Sequence, residues 1–231
     1  MPELRYEHIL LDFDRTLNDS DYVYEKNLEG FLGLTGQEVL RLWESVHRFV
    51  LAKHPRRHND LELHYGRMVE ELNRTTKADV IGELKRRIRA AQEECWYATA
   101  LFEESLGFLA EMSDAGYILH IATGDYAKTK AEHIESQANR SHFRSTFDEE
   151  TLGIGKGQRD YFDRIIDLLK VPPKRVVIVG DSLTNDVRPG REAGLDAIWI
   201  RRKEEPNRKG IVPTRTFATL SESLAHFLFL T

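Results

Sequence analysis

The sequence predicts an α/β protein with a Rossmann-like parallel sheet core, helices on both faces of the sheet, and an inserted bundle of α-helices. Short apolar runs recur along the second half of the chain, and amphipathic stretches of helical length separate them. Strands and helices that alternate in this way favour a parallel sheet with right-handed crossovers. Between Leu17 and about Tyr97 the apolar residues follow only a helical period, which indicates the insertion.

The strands of the core are predicted from their apolar runs. The first run is His8–Leu11, and later runs end at Ala122, Val179 and Ile200. A short edge strand is expected over residues 142–147. The helices of the core are expected over residues 102–112, 126–137, 160–170 and 219–229.

The insertion is predicted to contain about four helices. Thr35 and Glu38 form a capping box at the start of one of them. Further helices are expected over residues 61–72 and 80–95, with a weaker segment near residues 28–34. The predicted organisation is a core of residues 1–17 and 100–231 and an inserted helical unit of residues 18–99.

The composition excludes several classes of protein. The 231 residues are 41% hydrophobic with a formal net charge of −5, which permits a full core and gives no basic surplus for a nucleic acid polymer. Cys95 is the only cysteine, so an intramolecular disulfide and a cysteine-rich zinc site are excluded. No apolar run reaches membrane-spanning length, and the first residues do not resemble a signal peptide. We expect a cytoplasmic protein without a membrane partner.

The first apolar run leads directly into two carboxylates. Asp12 and Asp14 follow the run with one residue between them, and ligands bind at the carboxyl ends of strands in open parallel sheets. Two buried carboxylates so close together repel each other and lose hydration, so the pair favours a bound cation such as Mg²⁺. A strand that ends in two solvated acids is the alternative.

Three later segments place polar groups at predicted strand or helix ends. Thr123 and Gly124 lie where a strand ends and a helix begins, and exposed backbone amides at such a turn bind anions. Lys156 lies in a glycine-rich approach to a helix, and Asp181 and Asp186 follow a third strand. The segments together supply a nucleophile, a proton donor, a hydroxyl group, a cation and further carboxylates. Metal-assisted phosphoryl transfer requires this set.

In this order the segments resemble the four motifs of the haloacid dehalogenase superfamily, which match DFDRTL, the threonine of ATGD, Lys156 and GDSLTND. The resemblance implies that Asp12 is a nucleophile that becomes an aspartyl phosphate and that Asp14 is the general acid and base. It also implies that Thr123 and Lys156 hold the phosphoryl group, with backbone amides near Thr123 and Gly124 as further donors. The implied Mg²⁺ ligands are Asp12, Asp14, Asp181 and Asp186, the last of which would also orient Lys156.

Two positions depart from the commonest family pattern. Arg15 stands where most members carry glycine, and Gly157 stands where proline is common after the lysine. Arg15 could contact the leaving group of a substrate, or it could point away and pair with an acid. Neither departure removes a chemical group that the reaction needs.

The resemblance implies a magnesium-dependent phosphatase acting on a small phosphomonoester: a nucleotide, a sugar phosphate or a phosphoglycolate-like compound. A phosphomutase or phosphotransferase would share every motif. A 2-haloacid dehalogenase is disfavoured, because the dehalogenases of the family lack an acid at the position of Asp14. A non-enzymatic binding module would not need the complete motif set. The expected partner is a small phosphorylated metabolite, and the expected assembly is a monomer or a homodimer.

The inserted unit corresponds in position to the helical cap of the family, which implies that it selects the substrate. Tyr22 and Tyr24 are expected substrate contacts, because their rings could stack on a base or a sugar. Arg15 is a third candidate. The basic, histidine-containing segment 53–58 is a less favoured one, and its proline argues against convergence of its histidines on a metal.

Overall fold

The computed structural model describes residues 5–54, 60–72, 78–203 and 210–228, and the chain divides into two compact units. One unit, Met1–Asp19 with Trp96–Thr231, contains the sheet, and the other, Ser20–Cys95, is helical. The helical unit is an insertion, since the chain leaves the sheet after its first strand and returns before its second. No helix in the described ranges is long and apolar enough to cross a membrane.

The described residues of the helical unit form four helices around an apolar cluster. These are α1 Ser20–Leu28, α2 Gly36–Lys53, α3 Leu61–Glu71 and α4 Ala78–Trp96. The predicted capping box is present: the Glu38 amide donates to Thr35 Oγ1 at 3.3 Å, and the Thr35 amide donates to Glu38 Oε2 at 2.9 Å. The cluster includes Phe31, Val39, Met68, Leu84 and Ile88.

The entry into the helical unit differs from the prediction. The weak segment near residues 28–34 forms only a short 3₁₀ turn, Phe31–Gly33, whereas α1 begins earlier, at Ser20. Among its apolar side chains, α1 fully buries Val23 and Leu28, so its apolar period is too sparse to be recognised in the sequence.

The sheet is parallel throughout and has six described strands. They are β1 His8–Leu11, β2 Ile118–Ala122, β3 Phe143–Phe147, β4 Val176–Gly180, β5 Asp196–Ile200 and β6 Arg215–Phe217. Their order is β3-β2-β1-β4-β5-β6. The chain extends the sheet from β1 to one side and later from β4 to the other, so the strand order reverses between β1 and β4. Ligands of open parallel sheets bind at such a reversal.

Helices cover both faces of the sheet. They are α5 Ser105–Asp114, α6 Ala127–Ala138, α7 Glu149–Leu152, α8 Arg159–Leu169, α9 Arg188–Glu192 and α10 Leu220–Leu228. Side chains alternate along β1, so that Ile9 packs with Phe108 of α5 on one face and Leu10 packs with Phe162 of α8 on the other. Each fully buried side chain of this size contributes about 1.5–3 kcal/mol. The predicted Rossmann-like α/β architecture is confirmed.

Candidate active site

The predicted catalytic acids lie at the carboxyl ends of β1 and β4, where the strand order reverses. These strands are neighbours, with Leu11 paired to Val179, so Asp12 and Asp181 follow at the same edge of the sheet. The Asp12 amide continues the ladder by donating to the Val179 carbonyl at 2.9 Å. The sheet thereby brings together acids from distant parts of the sequence.

Lys156 is buried between two of these acids. Its Nζ lies 2.5 Å from Asp12 Oδ1 and 2.6 Å from Asp186 Oδ1, and the residue is 4% exposed. Burial alone would lower the pKa of Lys156, but the charges of Asp12 and Asp186 outweigh this effect and raise the pKa above its usual value. The ammonium group therefore stays protonated at neutral pH.

Asp12, Asp181 and Asp186 form an acid cluster, in which one oxygen from each residue lies within 4.8 Å of the others. Burial raises the pKa of Asp12 to about 6, although Lys156 opposes the shift. Burial also raises the pKa of Asp181 well above its usual value, against the charge of Arg15. The raised pKa values indicate that Lys156 and Arg15 supply too little positive charge to offset the burial of these two carboxylates. Carboxylate oxygens at this spacing fit a divalent cation such as Mg²⁺.

Gly180 and a turn of π-helix bring Asp186 back to the end of β4. The turn, Leu183–Val187, places Asp186 Oδ2 where it accepts a hydrogen bond from the Ser182 amide at 2.8 Å. A Cβ at Gly180 would clash with the carboxyl group of Asp186, so a larger residue would displace this acid. Single π-turns of this kind are frequent at functional sites.

Asp14 is held by a lysine that sequence analysis did not assign to the site. Lys130 Nζ lies 3.0 Å from Asp14 Oδ2 and 2.6 Å from Asp125 Oδ1. The Asp14 carboxylate is not part of the acid cluster found among the described residues, and its role as a metal ligand stays a prediction.

The sequence contained a signal for Lys130. The residue lies on the buried face of α6, together with Ala127, Ala131 and Ile134. A lysine on the apolar face of an amphipathic helix needs a buried partner, because an unpaired buried charge is strongly unfavourable. Asp125, which binds it, likewise was not predicted as a site residue.

Thr123 and Gly124 follow β2 at the same sheet edge as Asp12, since Ile121 pairs with Leu11. Thr123 is buried, and its Oγ1 accepts a hydrogen bond from Lys130 Nζ at 3.3 Å. Gly124 is exposed, and its carbonyl accepts the Glu149 amide at 3.2 Å. Thr123 therefore joins the Asp14 side of the site, whereas Gly124 lies at its surface.

Arg15 pairs with an acid of the cluster, and Arg202 holds the loop around it. Arg15 Nε lies 3.1 Å from Asp181 Oδ2. The φ of Arg15 is 62°, in the left-handed region that glycine adopts without strain, so a glycine would fit this position at lower conformational cost. Arg202 donates to the Arg15 carbonyl at 3.0 Å and to the Thr16 carbonyl at 2.7 Å. Its role was not predicted, because it begins a charged loop without a motif.

The predicted substrate contacts Tyr22 and Tyr24 lie on α1 of the helical unit. Tyr22 is 58% exposed, whereas Tyr24 packs against the apolar cluster of that unit. Tyr22 is therefore the better candidate for contact with a substrate. Of the basic segment 53–58, Lys53 and His54 are exposed, and the other residues lie outside the described residues.

Comparison with known proteins identifies the family. A sequence model described as a haloacid dehalogenase-like hydrolase matches residues 6–194, which is most of the chain. The chain belongs to the haloacid dehalogenase-like hydrolase family.

Individual relatives are similar over shorter stretches. The HAD-hydrolase YfnB of Bacillus subtilis is 31% identical over 48% of this chain and 47% of its own length. The N-acylneuraminate-9-phosphatase of Homo sapiens is 32% identical over 55% of this chain and 52% of its own length. The chain thus spans about half the length of these two relatives.

Solved structures extend the likeness of the fold to nearly the whole chain. The crystal structure of YfnB bound to magnesium has a TM-score of 0.73 at 20% identity and covers 97% of this chain and 99% of that chain. The structure of an L-2-haloacid dehalogenase from Xanthobacter autotrophicus has a TM-score of 0.72 at 11% identity. The match covers 98% of this chain and 100% of that chain. At these identities the likeness concerns the fold alone.

Proposed function

We propose that the chain is a Mg²⁺-dependent phosphatase that hydrolyses a small phosphomonoester through an aspartyl-phosphate intermediate. The observation that carries this proposal is the separate pairing of two neighbouring acids. Asp12 is buried against Lys156 in the acid cluster, whereas Asp14 is bound by Lys130. A nucleophile and a proton donor need different surroundings to act in one reaction. The similarity to a relative named as a phosphatase supports the same class.

In the first step, a carboxylate oxygen of Asp12 attacks phosphorus and forms the acyl phosphate bond. The bond from phosphorus to the leaving oxygen breaks, and Asp14, protonated on the oxygen that Lys130 does not contact, donates that proton to the leaving oxygen. Lys156 and the Thr123 hydroxyl bind the phosphoryl oxygens. Mg²⁺ at the acid cluster would neutralise charge on the phosphoryl group and orient it.

In the second step, Asp14 removes a proton from water, and the water oxygen attacks phosphorus. The bond between Asp12 and phosphorus breaks, which regenerates the carboxylate and releases inorganic phosphate. The protonated Lys156 remains beside Asp12 throughout and stabilises the negative charge that returns to it.

A dehalogenase is the second candidate, because a dehalogenase with chloropropionic acid covalently bound shares the fold. The Asp14–Lys130 pair argues against it. A halide ion leaves carbon without protonation, so a carboxylic acid held beside the nucleophile would have no task in the displacement. A phosphomutase or phosphotransferase would use the same side chains but pass the phosphoryl group to a second substrate.

The test measures phosphate release from p-nitrophenyl phosphate with and without Mg²⁺. We expect activity that depends on Mg²⁺ and falls to background in Asp12→Asn, which preserves the shape of the side chain. Circular dichroism checks that the variant is folded, and substantial turnover by a folded Asp12→Asn protein would contradict the proposal.

The substrate class is then identified with nucleotides, sugar phosphates and phosphoglycolate. Phosphoryl transfer to a sugar phosphate in preference to water would indicate a mutase. Halide release from a 2-haloacid without phosphatase activity would indicate a dehalogenase.

A further inference from the structure

Lys130 is a buried cation that the reaction described above does not use. The residue is 1% exposed, and its Nζ contacts three acceptors: Asp14 Oδ2 at 3.0 Å, Asp125 Oδ1 at 2.6 Å and Thr123 Oγ1 at 3.3 Å. An ammonium group has three N–H donors, so these contacts account for all of them. The ring of Phe13 lies 4.8 Å from Nζ.

A purely stabilising role explains this arrangement poorly. Taking an ammonium ion out of water is strongly unfavourable, and buried ion pairs often stabilise a protein no better than apolar residues of similar volume. Burial alone would lower the pKa of Lys130, but Asp14 and Asp125 outweigh this effect and keep the side chain charged. Two of its three acceptors, Asp14 and Thr123, belong to the proposed catalytic set.

The contacts also define how those two side chains are oriented. The ammonium group binds Oδ2 of Asp14 and so limits rotation of the carboxylate. The Thr123 hydroxyl accepts through its oxygen, so its own hydrogen is directed to another acceptor. Asp125 fixes the ammonium group from a further side and itself accepts from Trp96 Nε1 at 3.3 Å.

We propose that Lys130 is a positioning residue that holds the Asp14 carboxylate in the orientation required for proton transfer and turns the Thr123 hydroxyl toward the phosphoryl group. The proposal rests on the proposed phosphatase function. General acid catalysis contributes on the order of 10²–10⁴-fold and matters most when the leaving oxygen is strongly basic. Loss of Lys130 should therefore slow the first step of alkyl phosphates much more than the first step of nitrophenyl phosphate, whereas hydrolysis of the intermediate should slow for every ester.

The test compares the rate of the first step, measured as release of the alcohol or nitrophenol in a single turnover, for wild type and Lys130→Met over phosphomonoesters that range from nitrophenyl to alkyl leaving groups. We expect this first-step rate to fall roughly 10²-fold or more for alkyl esters and less than about tenfold for nitrophenyl phosphate. Asp14→Asn is the reference and should show the same pattern. Lys128→Met is the matched control, because Lys128 is 82% exposed on the same helix and pairs with Glu132.

A second variant separates positioning from charge balance. Lys130→Met leaves Asp14 and Asp125 without their shared cation, and Lys130→Met/Asp125→Asn removes one of these two negative charges. If Lys130 positions Asp14, the double variant stays impaired on alkyl esters even when its thermal unfolding midpoint returns to the wild-type value.

Three outcomes would contradict either the positioning role of Lys130 or the proposed function on which that role depends. An active wild type whose Lys130→Met variant slows the first step equally for nitrophenyl and alkyl esters would overturn the positioning role alone. Recovery of wild-type turnover of alkyl esters in the Lys130→Met/Asp125→Asn variant would also overturn the positioning role. A wild type inactive on every ester would overturn the proposed function and with it this inference.

Discussion

Asp12 and Asp14 lie two residues apart, yet each carboxylate pairs with a different lysine. Lys156 binds Asp12 at 2.5 Å, and Lys130 binds Asp14 at 3.0 Å. At the residue scale this separation gives two acids of one motif different surroundings, and only Asp12 joins the acid cluster that fits a divalent cation. Substitutions at single residues should therefore have distinct effects.

The first prediction separates metal binding from phosphoryl binding. Asp181→Ala removes a carboxylate of the acid cluster, so it should raise the Mg²⁺ concentration required for half-maximal activity. Lys156→Ala removes the cation that would bind the phosphoryl group, so it should weaken phosphate binding and turnover with less effect on the Mg²⁺ requirement. Titrations of activity with Mg²⁺ and inhibition by inorganic phosphate provide the two measurements, and identical profiles for both variants would contradict the assignment.

The second prediction concerns pH and the fully buried His120 of β2, whose Nε2 lies 3.0 Å from His8 Nδ1. Burial lowers the pKa of His120 to about 3 from an ordinary value of 6.5. Between these pH values the unfolded chain binds a proton that the folded chain does not. The free energy of unfolding should therefore fall as pH decreases below 6.5, by up to about 1.4 kcal/mol per pH unit from this residue.

Urea unfolding of wild type and His120→Gln between pH 7 and about pH 5 measures this contribution, within the range where the histidine titrates. The buried acids contribute equally to both proteins and cancel in the comparison. His133→Gln is a control that leaves the His8–His120 pair in place. Equal pH slopes for wild type and His120→Gln would show that His120 accepts its proton in the folded protein.

At the scale of elements, the strands that carry the site were the easiest part to predict. Four of the strands, β1, β2, β4 and β5, are apolar runs because helices cover both faces of the sheet, and their carboxyl ends identified Asp12, Thr123 and Asp181. Strand β6 was missed, since it has three residues and no buried apolar pattern. Lys130 and Arg202 were missed because their partners depend on how elements pack.

The third prediction tests the packing of α1 against α2. Gly36 is the first residue of α2. A Cβ at this position would clash with the carbonyl oxygen of Glu25 in α1 and would lie 2.6 Å from the Glu25 carbonyl carbon. Gly36→Ala should therefore lower the free energy of unfolding by about 1–3 kcal/mol. Gly82→Ala is the matched control: no atom lies within 4 Å of its Cβ position, so this helical substitution should stabilise by about 0.5–1 kcal/mol.

Thermal and urea unfolding of both glycine variants provide the measurement. A Gly36→Ala protein as stable as wild type would show that α1 and α2 can move apart without cost. A destabilised Gly82→Ala protein would contradict the open surroundings of that position.

At the scale of the whole molecule, one compact unit carries the acids and lysines, and the helical unit is inserted directly after the Asp12–Asp14 motif. The proposal assigns the reaction to the first unit and substrate selection to the second. The boundary residues could be placed from sequence only within a few positions, because α4 continues to Trp96, the first residue of the returning chain.

The fourth prediction tests this division of labour. Tyr22→Ala should change the order of preference among nucleotides, sugar phosphates and phosphoglycolate, while p-nitrophenyl phosphate turnover stays within roughly tenfold, since one pocket contact is worth about 1–3 kcal/mol. Tyr24→Ala should instead reduce thermal stability, because Tyr24 packs against the apolar cluster. An unchanged order of preference in Tyr22→Ala, Tyr24→Ala and variants of the basic segment would place selectivity elsewhere, with Arg15 the next residue to examine.

The central claim is that Asp12 becomes phosphorylated and that Asp14 is needed to hydrolyse the intermediate. The most direct measurement is acid quenching of Asp14→Asn after incubation with nitrophenyl phosphate and Mg²⁺, followed by mass spectrometry of the peptide that contains Asp12. The first step needs little acid assistance with this leaving group, so the account predicts that phosphorylated Asp12 accumulates in Asp14→Asn and is absent in Asp12→Asn. Release of nitrophenol without any phosphorylated Asp12, or turnover by Asp12→Asn, would contradict it.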